Sequence, residues 1–467
     1  MTKSPDAAIS HDDFEQLIGE LVAPNAAIAV AVSGGADSMA LCLLTNSWAR
    51  RNGAPMAALT VDHDLRQTSV AETSQVAEWM AGFGIAHTVL KWAGPKPQTG
   101  IQAAARDARY ALMTRWCRNN GFATLLVAHH RDDQAETYLM RLNRGSGPNG
   151  LAGMSAATER HEVRIVRPLL GVPKSRLVST CRALRQTWID DPSNRDPRYA
   201  RTHARSHLEA QNNGAVIAEK TRSYGIARAA RDREVCALLK TAATEYAGGF
   251  VRLNWQTLAE APDDVGTGAL ARVLCRVSGA SHGPPTNKLA ALHRAVTRGL
   301  IATRSLHRCL AMPQTDGHIL ICREPRNLPT VPIEAGSQFT WDRRFLVALD
   351  PGSNLDGVTV GPLGHKGWRQ IRDRAGFALP TFPTQMCYAV PALFHQDQVI
   401  SAPNLGVPGK MSGFAAQFSP TLSLLPHPFA VVSPDETPIF RETKSAKTLE
   451  TSVLAEFGGD FGPFANG

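Results

Sequence analysis

Between positions 27 and 144 short apolar runs alternate with helix-length segments, and this alternation restricts the N-terminal part of the chain to very few folds. Strands are predicted at 27–32, 56–61, 87–90 and 124–128, and helices at 37–50, 69–83 and 101–119. Such a repeat builds a parallel sheet covered by helices on both faces, the doubly wound α/β architecture. Ligands of these sheets bind beyond the carboxyl ends of the strands. The conspicuous polar residues fall there: Ser33-Gly34-Gly35-Ala36-Asp37-Ser38, then Asp62-His63, then His129-His130.

The first of these segments joins an apolar strand to a helix whose apolar positions begin at Met39 and Leu41. Paired glycines allow the backbone to come close to a ligand, and the N–H groups of the turn add to the positive end of the helix dipole. The segment is therefore an anion cradle, although no Gly-Lys-Ser/Thr follows as in a Walker A loop. The alternative is a tight turn in which Asp37 and Ser38 only cap the helix.

In His129-His130-Arg131-Asp132-Asp133-Gln134-Ala135-Glu136, strand-like residues end at the histidines and a helix begins near Asp132. Asp133 and Glu136, three apart, share a helix face, where carboxylates hold Mg²⁺ or an ammonium group, or orient a nucleophile. Helix N-termini also favour acids for dipole reasons alone, but two histidines with three acids exceed that need. The spacing is not that of a zinc site.

A chain of 467 residues calls for two or three domains. The formal net charge of +9 points to a polyanionic partner, nucleic acid before membrane, with plain solubility as the bland alternative. Eight scattered cysteines without a Cys-x-x-Cys pair argue against zinc ribbons and iron–sulfur sites and fit a reducing compartment. With no signal peptide at the N-terminus and no membrane-length apolar run, a cytoplasmic location is expected. A strand at 164–170 and a helix to about 186 are predicted next, then an Ala- and Arg-rich stretch with helical spacing at 216–300. Short strands, including 345–349, 389–394 and 398–402, are predicted within 327–467, whose tail after Glu436 is weakly patterned and expected to be partly disordered.

The ordered succession SGGADS (33–38), VDHDLR (61–66), AARDARY (104–110), AHHRDDQAETYLMRLNRGSGPNGLAGM (128–154), RPLL (167–170) and DPSNRDPRYAR (191–201) resembles the bacterial tRNA(Ile)-lysidine synthetases, of the PP-loop ATP pyrophosphatase superfamily. The similarity is strong over 27–208 and returns weakly at 391–403. It implies an adenine nucleotide α-hydrolase-like sheet domain at 1–215, a helical tRNA-contacting domain at 216–326 and a small mixed α/β, RNA-binding C-terminal domain at 327–467. The implied reaction uses ATP and Mg²⁺ to adenylate the wobble cytidine of a CAU-anticodon tRNA(Ile), after which the amine of L-lysine displaces AMP.

Residue by residue, the resemblance assigns ATP to Ser33, Gly34, Gly35, Ala36, Asp37 and Ser38, with Asp37 also the Mg²⁺ or catalytic carboxylate. Asp62 and His63 are further nucleotide contacts, or a cap and a surface histidine. Asp133 and Glu136 serve the lysine amine or the metal. Arg109 is a catalytic candidate, and His129, His130, Arg106, Arg201 and Arg205 are substrate-binding candidates, the arginines toward phosphates. Gly145, Gly147, Gly150 and Gly153 form either a cover for the site or a plain connection. The chain departs from the family at Arg201-Thr202-His203-Ala204-Arg205, where an Asn and a larger aliphatic residue are usual, although both arginines remain.

The motif residues all precede Leu208, so the nucleotide pocket is expected to form without the C-terminal region. Oligomeric state is open, a homodimer included. The rival readings are a tRNA 2-thiolase, a GMP or NAD synthetase-like ligase, and a non-enzymatic RNA-binding protein. The first commonly needs cysteine pairs, the second acts on small metabolites, and the third leaves the glycine loop and acids without a role.

Overall fold

The four residues Ile28–Ala31 (β1) point their side chains alternately into two separate cores, which is why an unbroken apolar run occupies the middle of a sheet. Ile28 and Val30 join one core with Phe14, Leu41 and Leu177, while Ala29 joins the other with Tyr110, Met113 and Leu125. The computed structural model describes residues 6–19, 21–63, 69–93, 96, 99–160, 162–190, 200–211, 213–299, 301–373, 383–407, 413–425 and 429–431. The expected motif at 191–199 and the tail after Glu436 lie outside these residues.

Two compact units result, Met1–Ala230 with Pro428–Gly467, and Arg231–His427. The first runs through α1 (His11–Gly19), β1, α2 (Ala36–Asn52), β2 (Met56–Asp62), α3 (Ser69–Gly82), β3 (Ala86–Lys91), α4 (Ile101–Asn119), β4 (Thr124–Leu126) and α5 (Arg131–Asn143). It continues with α6 (Pro148–Leu151), β5 (Ala157–Arg160), β6 (Val163–Val166), α7 (Lys174–Ala183), α8 (Ala200–Gln211) and α9 (Gly214–Ala242), the last extending past the unit boundary. Its six-stranded sheet has the order β3-β2-β1-β4-β6-β5, parallel except for the β5 edge. The order reverses between β1 and β4, which pair Ile28 with Thr124 and Val30 with Leu126. The glycine loop leaves β1 and the two histidines follow β4, so both motifs open onto one switch point.

One expectation is corrected here. The strand predicted to reach 170 stops at Val166. Arg167 N still donates to Ala156 O (2.7 Å), and its buried guanidinium donates to Ser155 O (2.9 Å) and Thr158 Oγ1 (3.1 Å). Pro168, however, has no N–H to continue the ladder, and the chain turns over 168–170. Phe429 also packs into the core of this first unit, and Ala156 N donates to Ala430 O at 2.8 Å.

In the second unit β7 (Ala243–Tyr246) and β8 (Phe250–Asn254) form a hairpin inside the stretch expected to be wholly helical. Gly249, at φ +78°, makes the turn, and pairing with a strand much later in the chain, invisible to local pattern, stabilises it. Helices α10 (Trp255–Glu260), α11 (Asp263–Ser278) and α12 (Thr286–Thr297) cover a five-stranded antiparallel sheet completed by β9 (Arg304–Leu306), β10 (Cys309–Pro313) and β11 (His318–Arg323). Then follow β12 (Val331–Pro332), β13 (Gln338–Trp341), β14 (Phe345–Leu349), β15 (Val358–Pro362), α13 (Gly364–Arg372), β16 (Pro391–His395), β17 (Gln398–Ser401) and β18 (Phe414–Phe418), in a four-stranded and a three-stranded antiparallel sheet. The boundaries expected at 215/216 and 326/327 fall in the first turn of α9 and between β11 and β12. Among the described residues no helix is long and apolar enough to cross a membrane.

Candidate active site

The loop after β1 is built by its own side chains. Ser33 N donates to Ser38 Oγ (3.1 Å), and Ser38 Oγ donates to Gly35 O (3.0 Å), so this hydroxyl folds the turn that precedes α2. Gly34 sits at φ +85°, and its carbonyl accepts a hydrogen bond from Ile189 N at 2.9 Å. A Cβ on Gly34 would lie 2.7 Å from Ile189 Cδ1, so both backbone angle and space demand glycine. Asp37 occupies the first turn of α2, with Oδ1 buried and without a hydrogen-bond partner among the described residues.

Beyond β4, His130 caps α5, and its backbone N–H donates to Asp133 Oδ2 at 3.0 Å. Its Nε2 stands 3.5 Å from Asp37 Oδ2 and 3.5 Å from Asp133 Oδ2. One buried imidazole thus links the glycine-loop carboxylate to the acid helix. Burial opposes a charge on His130, but Asp133 and Asp37 outweigh it and raise its pKa. Burial likewise opposes the Asp133 carboxylate, yet His130, Arg201 and His129 hold it down at about 2. His129 behaves oppositely: burial, with Arg167, Arg106 and Arg201 nearby, pushes it down to about 3 against the pull of Asp133.

Asp133 and Glu136 do share a face, and α8 meets it. Arg201 Nη2 donates to Asp133 Oδ1 (2.5 Å) and Arg201 Nε to Glu136 Oε2 (2.6 Å), while Arg205 Nε donates to Glu136 Oε1 (2.7 Å). The two arginines expected at phosphates are therefore seated on the two acids expected at the amine. Arg201 keeps a side chain 40% exposed, so it also borders solvent.

A second group forms beyond β2. Arg109 Nε donates to His63 Nε2 at 3.3 Å, which suits a neutral ring, since burial and Arg109 push His63 down to about 4. His63 meets Trp92 edge-on at 5.9 Å, and Asp62 is buried at the strand end. Arg106, a turn earlier on α4, stacks over Tyr110 at 5.4 Å. Among the described residues no group of three or more His, Cys, Asp or Glu has the geometry of a metal centre. Mg²⁺ on a nucleotide needs only one or two carboxylates beside phosphates and waters, and the buried, unpartnered Asp37 Oδ1 fits that demand.

The glycines between α5 and β5 lie in a fastened loop. Arg141 Nη1 donates to Gly150 O (2.6 Å) and Gly153 O (2.8 Å), and the Gln134 amide makes both hydrogen bonds to the Met154 backbone. Arg167, Gln134, Arg141 and Ile189 were not singled out from the sequence. Arg167, Arg141 and Gln134 stood inside quoted motifs, but their roles depend on pairings that no spacing reveals.

The chain is similar to known proteins over the residues that build this site. A family model described as a PP-loop domain matches residues 7–211. The tRNA(Ile)-lysidine synthase of Rhodopseudomonas palustris is 45% identical over 207 residues, covering 44% of this chain and 60% of that protein. That of Ruegeria pomeroyi is 33% identical over 396 residues, covering 82% and 90%, and that of Mesorhizobium japonicum 34% over 414 residues, covering 85% and 88%. The more identical matches are the shorter ones: the chain spans about 60% of the Rhodopseudomonas palustris protein and 58% of the Bradyrhizobium diazoefficiens one.

Proposed function

Because this chain belongs to the tRNA(Ile)-lysidine synthase family, we propose that it is an ATP-dependent ligase joining L-lysine to the wobble cytidine of tRNA(Ile) bearing the CAU anticodon. The observation that carries the reading is the position of His130, equidistant from Asp37 of the glycine loop and Asp133 of the acid helix. An ATP-binding turn and an amine-binding carboxylate thereby share one site, as a two-step transfer from nucleotide to amine requires.

In the first step the cytosine C2 oxygen attacks the α-phosphorus of ATP, and pyrophosphate leaves. The N–H groups of the Ser33–Gly35 turn and the N-terminal dipole of α2 receive the phosphates. Asp37 would hold Mg²⁺, which would supply neutralisation of phosphate charge. Arg109, solvent-exposed on α4 and held by its hydrogen bond to His63, is the catalytic cation assigned to developing charge on the nucleotide. In the second step the lysine amine attacks C2, AMP leaves as the C2–O bond breaks, and the amine gives up a proton. Asp133, ionised throughout the neutral range, anchors the ammonium, and with Glu136 makes the carboxylate pair that receives the proton. Arg201 and Arg205, oriented by those carboxylates, border the tRNA strand, with His129 and Arg106 behind them.

The test is incorporation of radiolabelled lysine into purified tRNA(Ile) with the CAU anticodon, followed in parallel by pyrophosphate release. The expected result is ATP-dependent labelling of that tRNA with one pyrophosphate per lysine. Labelling without ATP, or none despite ATP and tRNA binding, overturns the reading. A binding module would release no pyrophosphate, and a thiolase would release it without taking up lysine. Cytoplasmic location and a homodimer remain part of the proposal, for fractionation and sedimentation to decide.

A further inference from the structure

Along α5, Tyr138, on the side turned away from Asp133 and Glu136, and Leu139, on the flank beside Glu136, join an apolar cluster with Leu208 of α8, Tyr224 of α9 and Phe429. Phe429 belongs to the segment that rejoins this unit after Arg231–His427, and it is held by the Ser155–Ala156 stretch and by α9. Ala156 N donates to Ala430 O (2.8 Å), and Ala430 N donates to Ser155 Oγ (3.0 Å), which ties the segment to the residues Arg167 also grips. The Arg228 guanidinium lies over the Phe429 ring, 4.7 Å from its centre. One turn earlier on the same helix stands Gly225, inside α9, where a Cβ would come within 3.1 Å of both Phe429 and Val431. Glycine is unfavourable in a helix interior. Its presence at this contact makes room for the segment crossing the helix.

We propose that Phe429, with Ala430 and Val431, positions the acid helix: it closes the apolar seat that sets α5 and α8 in register, and so fixes Asp133 and Glu136 against Arg201 and Arg205. The inference rests on the reading of these acids as the lysine-amine site. The charged pairs on one side of α5 close at 2.5–2.7 Å, distances that a small roll of the helix would open. A cavity of about 180 Å³, lined by Arg131, Gln134, Met154, Gly225 and Phe429, lies on this same back side. It leaves α5 room to shift if the segment is withdrawn.

The experiment compares full-length Phe429→Ala, Phe429→Leu and Gly225→Leu with wild type in ATP affinity, tRNA-dependent pyrophosphate release and single-turnover lysine transfer. Gly225→Leu removes no contact and introduces a better helix former, so it dislodges the segment in a chain that still folds should Phe429→Ala fail to. Lysine transfer is expected to fall roughly ten- to a hundredfold in Phe429→Ala and Gly225→Leu, the scale of an ångström misplacement, with ATP affinity and pyrophosphate release largely kept. Phe429→Leu is expected to restore most of the transfer. Parallel losses in all three readouts, or transfer unchanged in Gly225→Leu, overturn the inference. A wild type that transfers no lysine overturns the proposed function and this inference together, whereas an active wild type beside unchanged variants overturns the inference alone.

Discussion

Arg201 Nε stands 2.6 Å from Glu136 Oε2, a charge-assisted hydrogen bond to a carboxylate whose side chain is 1% exposed. Exposed ion pairs contribute at most about 1 kcal/mol, but removing one partner of a buried pair costs about 3–5 kcal/mol. Partial exposure of the guanidinium places this pair between the two limits.

Arg201→Lys should therefore behave almost like Arg201→Ala. A lysine keeps the charge but cannot span Asp133 and Glu136 with two N–H groups of a planar fork. Expected are a stability loss of about 1–3 kcal/mol by denaturant titration and at least a tenfold fall in lysine transfer. Wild-type activity in Arg201→Lys would show that charge alone suffices there.

Asp37→Ala should abolish pyrophosphate release while the protein stays folded. The residue lies at the open end of α2 and contributes a carboxylate rather than core packing. Near-normal adenylation by the folded variant, measured as AMP formed on tRNA, would remove Asp37 from the site.

Gly34→Ala should destabilise by about 1–3 kcal/mol and weaken ATP binding, because alanine is strained at φ +85° and would strike Ile189. Adding Ile189→Ala should relieve the collision and leave the backbone strain. The double variant should thus recover only part of the lost stability in a thermal unfolding comparison; full recovery would mean that the backbone angle is of no consequence.

His129 should make the protein acid-sensitive. Its pKa falls from about 6.5 in the unfolded chain to about 3 in the fold, so between these values the unfolded state binds the extra proton. The stabilisation due to its neutral form is complete above about pH 6.5 and is lost as the pH falls toward 3. His130, shifted upward, acts with the opposite sign and drops out of a difference measurement. Stability curves for wild type and His129→Gln should converge with acidification across that window. Parallel curves would contradict the assignment.

Much of the first unit was legible in the sequence because its signals are local. The apolar run before Ser33 marks a strand buried on both faces, and the three-residue spacing of Asp133 and Glu136 sets them on one helix face. That Arg201 and Arg205 would turn onto those acids was not legible, since the pairing spans 65 to 69 residues and depends on where α8 is laid down. The β7–β8 hairpin was missed for the same reason: its register is set by β11, far ahead in the chain. The roles of Arg167 and Ile189 likewise follow from the neighbours that the fold supplies, Ser155 and Gly34.

The ribosome delivers this chain from one end, and the cluster around Tyr138, Tyr224 and Phe429 cannot close until its final member emerges. By then the whole of Arg231–His427 has been synthesised, so the unit begun first is the one completed last. Until residue 429 is made, the nascent chain leaves the Phe429 seat beside Tyr138 and Tyr224 uncovered, in the period when apolar surface most invites aggregation. Synthesis past residue 429 is thus what completes the core of the first unit: a polypeptide abandoned before it carries every motif residue and an unfinished core.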